Sequence, residues 1–381
     1  MTSTFEMQSQ TSSLPIIAAH TAQGHQRAEL PARIQSSYTT RFAAQALESD
    51  PSRFHLATGA TVVPQAGDVV IARVTEILNH KRVETPESRK AILFEGAIIM
   101  LAYGNRYAAD QFLAHVPDSL EPCHLVAAGG VAGMVTEQHV NMDDPTRIEP
   151  LGLLADEHGV VNLTRFSPYQ LRPLPATVGA EVAPLPGRPR VIGVLGTSMN
   201  SGKSTAMACL VNGLTNAGLK VSAGKSTGTG AGNDPMIYHD GGAAKVLDFT
   251  DFGFPTTFKL EYEQVRSLTV NLIDALSETD TDVVVVEIAD GVYQGETARL
   301  LRDPLFQSVV DTVVFAASDA LGAVAGVREL QEAGLEVAAV SGVLTSSPLA
   351  TAEARQVLDV PVLDTFGMTA ADTARDLLPR R

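Results

Sequence analysis

The segment Gly196–Ser204, with the sequence GTSMNSGKS, carries the strongest chemical signal in this chain. Its glycines let the backbone bend until several N–H groups point at one anion. The spacing expects a phosphate cradle made by Gly196, Thr197, Asn200, Ser201 and Gly202, continued by Lys203, Ser204 and Thr205. Lys203 would reach the β- and γ-phosphates of a nucleotide, Ser204 would ligate Mg²⁺, and Thr205 would support the loop. Five residues separate Gly196 from Gly202, one more than the common form of the motif allows.

Two further clusters fit the same chemistry. Glu287 follows an all-valine run, and a carboxylate at such a strand end can hold Mg²⁺ directly or through water. Asp290 lies three residues on and is a candidate substrate contact. In GKSTGTGAGND, Lys225 could neutralise a transferring phosphoryl group, with Thr227, Gly228 and Thr229 as substrate contacts and Asp234 completing the metal shell. Thr256 is expected in the substrate wall. Lys203, Lys225 and Glu287 are the candidate catalytic residues, and Ser204, Asp234 and Glu287 the candidate metal ligands. The run His139–Asp144 has no second matching cluster and reads as structural.

These residues need a scaffold that gathers strand ends. Strands are expected at 190–195, 220–223, 282–286, within 309–317, at 336–343 and at 361–363. Helices are expected at 204–217, 265–276, 323–333 and 350–358. Strands alternating with helices make βαβ units. The expected fold class is α/β: a mostly parallel P-loop sheet with helices on both faces, plus a smaller β-rich N-terminal domain. In that domain one helix is expected over 36–48, then short strands with Gly and Asp turns that suggest a barrel. The chain divides into a flexible arm (1–35), the β-rich domain (36–170), a linker (171–189) and the P-loop domain (190–381). Pro173, Pro175, Pro184, Pro186 and Pro189 set the linker, since prolines at that density sustain neither a helix nor a central strand. The N-terminal domain is expected to cap the site or add substrate contacts, with no individual residue marked for it.

Length and composition bound the rest. The 381 residues suit two domains. A net charge of −15 argues against a general nucleic-acid binder, which needs clustered Lys and Arg. Cys123 and Cys209 form no CxxC pair, and free thiols suit a reducing compartment. No apolar run reaches membrane-spanning length, and the N-terminus has no secretory pattern. A cytoplasmic location without membrane attachment is expected.

From residue 190 to about 366 the chain resembles dethiobiotin synthetase and its relatives. The resemblance rests on the loop spacing of Gly196–Ser204, on Lys225–Gly228, Asn233–Asp234 and Pro255–Thr257, on VVVVEIADG at Val283–Gly291, and on AASDALG at Ala316–Gly322. It implies a P-loop fold, ATP, Mg²⁺ and a dimer. The chain departs from the family at Ile288 and Asp290, where glycines are usual, and at Thr345 and Ser346, where an adenine-binding Asn is usual. The expected activity is ATP- and Mg²⁺-dependent phosphorylation, or phosphoryl activation, of a small anionic metabolite. An amide- or ring-forming ligase and a regulatory nucleotide switch or GTPase are the alternatives; no NKxD-like guanine motif follows the strand near Val314.

Overall fold

Valines 283–286 alternate between two cores, and that alternation organises the C-terminal half. Val284 and Val286 join one apolar cluster, Val283 and Val285 another. A strand buried on both faces belongs in the middle of a helix-covered parallel sheet. The computed structural model describes residues 25–174, 188–278 and 280–379.

The first half holds β1 (Gln26–Ala28), α1 (Arg41–Ser49), β2 (His55–Thr58), β3 (Val69–Glu76), β4 (Arg82–Glu84), β5 (Lys90–Ile92) and β6 (Ile98–Tyr103). It continues with β7 (Arg106–Tyr107), β8 (Phe112–His115), β9 (Cys123–Ala127), β10 (Val131–Gln138), β11 (Thr146–Asp156) and β12 (Gly159–Val160). Pairing runs β3–β6–β10–β9–β11 and returns from β11 to β3. This ring is a closed barrel, filled by side chains such as Val70, Ala72, Leu101, Leu125 and Ile148. The opposite faces of β3 and β6, with Ile71 and Met100, pack on Ala43 and Ala44 of α1.

The second half is built from β13 (Arg190–Gly196), α2 (Lys203–Asn216), β14 (Val221–Lys225), α3 (Asn233–Asp240), β15 (Lys245–Asp248), α4 (Tyr262–Ser277) and β16 (Val283–Glu287). Then come α5 (Gly295–Leu301), α6 (Pro304–Val309), β17 (Thr312–Ala316), α7 (Ala320–Glu332), β18 (Val337–Ser341), α8 (Pro348–Val357) and α9 (Ala371–Asp376). Its six described strands are parallel, in the order β15–β14–β16–β13–β17–β18. Helices α4, α5, α6, α7 and α8 cover one face, and α2, α3 and α9 the other.

Several expectations change. From Gln26 the expected arm forms β1, which pairs antiparallel with β2; residues 1–24 lie outside the described residues. Residues 37–40 of the expected helix over 36–48 form a turn instead, because the hydroxyls of Ser37, Thr39 and Thr40 bond to each other and to nearby backbone. Residues 233–240, outside the expected helices, form α3, which tertiary packing stabilises by burying Pro235 and Tyr238. β15 lies outside the strands expected from the sequence. The expected strand at 361–363 is a single bridge between Val340 and Val362. Residues 175–187 of the expected linker lie outside the described residues; before them, Arg172 and Leu174 donate backbone N–H groups to Asn271 and Ser267 on α4.

The two halves meet through buried polar contacts. Tyr38 donates to Asp248 at 2.8 Å, and Arg41 pairs with Asp251 at 2.7 Å. A Cβ on Gly129, in the β9–β10 turn, would collide with the carbonyl oxygen of Gly230, so the close approach requires glycine there. No described helix is long and apolar enough to cross a membrane.

Candidate functional site

Register places the key side chains. β14 and β16 are neighbours, and Lys225 and Glu287 are direct partners across them. β13 lies on the other side of β16, with Val194 opposite Glu287. The last residues of β13, β14 and β16 therefore share one edge, at the carboxyl ends of parallel strands, where open α/β sheets bind ligands.

The glycine-rich loop leaves β13 and enters α2 through Gly202, whose φ of 92° is left-handed and free of strain only for glycine. The N-terminus of α2 then points its free N–H groups at the edge. The Lys203 ammonium donates to the carbonyls of Ser198 at 2.8 Å and Asp290 at 2.7 Å. Thr197 Oγ1 and Ser201 Oγ are buried with no hydrogen-bond partner among the described residues. Orphaned hydroxyls in a loop with a lysine at its base fit a polyphosphate.

The acidic side of the edge is paired. Lys225 forms ion pairs with Asp234, in the first turn of α3, and with Glu287 at 3.2 Å. Tyr238 donates to the other Glu287 oxygen at 2.5 Å. Burial favours the neutral Glu287 acid, but the Lys225 and Lys203 ammoniums outweigh it and hold the carboxyl below its usual range. The Ser204 hydroxyl also favours that carboxylate. Burial acts against the Lys225 charge as well, yet Asp234 and Glu287 keep it firmly protonated. Lys203, whose charge is less compensated, is pushed below its ordinary value by burial. A hydroxyl and two carboxylates at the foot of a phosphate loop suit Mg²⁺, which keeps several waters and takes few protein ligands. No described group of three or more His, Cys, Asp and Glu residues forms a dedicated metal cage.

A cavity of about 530 Å³ opens above this edge, lined by both halves. Such a volume accommodates a small-molecule ligand. Asn200, Gly202, Lys203, Ser204, Thr205 and Lys225 face it, as do Asp234, Glu287, Asp290 and Thr229. The expected residues are not all there. Thr227 spends its hydroxyl on the Ala289 carbonyl, and Gly228 exchanges hydrogen bonds with Thr257. Thr256 is buried in a bridge with Thr229, beside Gly104. These three shape the loop rather than line the cavity. Asp290 is raised above its usual value by burial, against the pull of Lys203 and Lys225.

The opposite wall is the barrel half, for which sequence reading named no site residues. Arg106, His80, Gln111 and Glu84 line the cavity. Glu84 accepts from the Gly232 N–H at 2.7 Å, and the tip of the phosphate loop is tied across by an Asn200–Asp110 hydrogen bond. Nothing in residue spacing marks Arg106 or His80, which stand alone in their segments. Tyr238 was missed because no helix was expected over 233–240.

No protein-family model and no curated protein matches this chain. Among solved structures, it is similar to signal recognition particle receptor FtsY from Elizabethkingia anophelis, at 15% identity and a TM-score of 0.36 over 50% of this chain and 66% of that one. The same receptor in complex with GDP gives 17%, 0.35, 57% and 70%. Chloroplast FtsY from Physcomitrella patens gives 16%, 0.36, 52% and 70%. None of these three is a dethiobiotin synthetase, and likeness at this level carries no argument about function.

Proposed function

We propose that this protein binds a nucleoside triphosphate, ATP by preference, with Mg²⁺, and transfers its terminal phosphoryl group to a small anionic metabolite, which is thereby phosphorylated or activated, leaving the nucleoside diphosphate. The carrying observation is the meeting of Lys203, Ser204, Lys225 and Glu287 at one strand edge, beneath a cavity that both halves line. A nucleotide switch needs only the edge; a cavity with a second, charged wall leaves room for a second substrate.

Catalysis here is positioning and charge stabilisation. Phosphate oxygens replace the two carbonyls that Lys203 now holds. Lys225, fixed by Asp234 and Glu287, presents a permanent positive charge to the transferred group. Ser204 and Glu287, with Asp234 nearby, would hold Mg²⁺, which would supply charge neutralisation to the phosphate chain. The acceptor is a carboxylate, a carbamate or a hydroxyl. A stable phosphorylated product marks a kinase; free phosphate with a new amide or ring marks a ligase. The resemblance to dethiobiotin synthetases supports phosphoryl activation, but the departures at Ile288 and Asp290 speak against the same substrate.

The test is a metabolite screen for ADP release, with Lys203→Ala as the blank. Metabolite-stimulated release in the native protein alone supports the proposal; equal release by the variant overturns it. Binding of Mg·GTP in preference to Mg·ATP, with no metabolite stimulation, would favour the regulatory switch.

A further inference from the structure

The barrel wall contains a buried cation with no ion pair among the described residues. Arg106 opens β7, which pairs with β8 so that Arg106 stands opposite Ala114. It is only 5% exposed, yet it borders the cavity. Nη2 donates to Gln111 Oε1 at 2.7 Å, while Nε and Nη1 are buried with no hydrogen-bond partner among the described residues. Burying a cation without satisfying its donors is costly, and folds retain such groups where a ligand completes them. Burial pushes the guanidinium down to about 10, with Asp290 and Asp110 opposing, so it stays charged at neutral pH. Neither carboxylate pairs with it. His80 adds a third unmet atom, Nδ1, on the same wall.

The opposite wall accounts for its own charges. Lys225 is matched by Asp234 and Glu287, and Lys203 lies at the base of the phosphate loop. Among the described residues Arg106 forms no ion pair or hydrogen bond with that edge, and its one hydrogen-bond partner is Gln111.

We propose that Arg106, oriented by Gln111, binds an oxyanion of the second substrate, a carboxylate held across the cavity from the phosphate loop. This rests on the proposed function for the identity of the second substrate, but the anion site itself does not. The guanidinium would anchor the end of the acceptor remote from the reacting atom and so aim that atom at the nucleotide. A planar cation with several donors matches carboxylate geometry better than an ammonium does. Gln111 is a positioning residue, fixing one nitrogen so that the others face the anion.

The experiment measures binding of succinate and of sulfate to the full chain, by calorimetry, with and without the Mg²⁺ complex of a non-hydrolysable ATP analogue. The analogue fills the γ-phosphate position, so anion binding in its presence reports a separate site. Arg106→Gln should weaken succinate binding about 10- to 100-fold, the range for hydrogen bonds to charged groups. Arg106→Lys should restore part of it, and Gln111→Leu should give a smaller loss. Mg·ATP and Mg·ADP affinities should stay at the native level in Arg106→Gln, and unchanged nucleotide binding shows that the variant is folded. Undiminished succinate binding in Arg106→Gln overturns the proposal, as does failure of the native protein to bind either anion. Loss of affinity for Mg·ATP but not Mg·ADP would assign Arg106 to the γ-phosphate and overturn the second-substrate site. If the native protein binds succinate through Arg106 but no nucleotide, the proposed function fails while the anion site stands.

Discussion

The two walls of the cavity treat charge in opposite ways. On the parallel-sheet wall, Lys225, Asp234, Glu287 and Tyr238 satisfy one another. On the barrel wall, Arg106 and His80 keep buried polar atoms without partners among the described residues. The paired charges are fixed before any ligand arrives, although Thr197 Oγ1 and Ser201 Oγ on that side have no partner among the described residues; fixed charges suit a preorganised anion site. An unpaired wall stores a cost that a ligand relieves, which suits selection of one substrate over its uncharged analogues.

The largest expected effect breaks this contrast directly. Lys225→Met should destabilise the ligand-free protein by about 3–5 kcal/mol, because it leaves two adjacent carboxylates uncompensated. Arg106→Met should be neutral or stabilising, since it removes a buried charge with no ion pair. Urea unfolding of both variants checks this, and equal losses would erase the distinction between the walls.

Lys203→Ala comes next. Mg·nucleotide affinity should fall about 10- to 100-fold. Calorimetry should show succinate affinity unchanged, because the lysine belongs to one wall only. A parallel loss of both ligands would mean that the walls form one site.

Gly129→Ala sharpens the comparison from the seam. The new methyl meets the Gly230 carbonyl, where backbone rather than a flexible side chain must move. A loss of about 1–3 kcal/mol is expected. Succinate binding, which depends on the barrel wall's position, should weaken more than nucleotide binding.

The smallest effect is in pH. Burial, reinforced by Arg106, depresses His80 to about 4. The native state therefore keeps a neutral imidazole where the unfolded chain takes up a proton. The stability this contributes is full above the ordinary histidine value and is lost as pH falls from there toward 4. Carboxylates titrate in the same window, so the informative quantity is a difference. The native protein should lose about 1–2 kcal/mol more than His80→Asn on acidification, since each tenfold drop in proton affinity is worth roughly 1.4 kcal/mol and partial solvent access reduces the sum. Identical acid profiles in urea unfolding would remove His80 from the buried wall.

Local chemistry made the glycine-rich loop and its strand edge legible in the sequence. A strand, a glycine-rich turn and a helix are contiguous, so GTSMNSGKS shows its cradle without tertiary information, and four consecutive valines before Glu287 show a strand buried on both faces. Helix α3 was not legible, because its segment has little apolar periodicity and gains its stability from burying Pro235 and Tyr238 against the sheet. Thr227, Gly228 and Thr256 were expected as substrate contacts, but they bond to Ala289, Thr257 and Thr229 instead. Which way each hydroxyl turns was settled by carbonyls that come from elsewhere in the chain, such as that of Ala289.

The sequence by itself determined the phosphate loop, the α/β alternation and the chemistry available at each strand end, because those depend on residues within a few positions of one another. Only the tertiary structure decided that Lys225 faces Glu287 across two neighbouring strands and that a barrel closes over them. It alone turned Arg106 into a buried cation with no ion pair among the described residues. Pairing register and the meeting of distant segments are long-range outcomes of packing, and no local spacing encodes them.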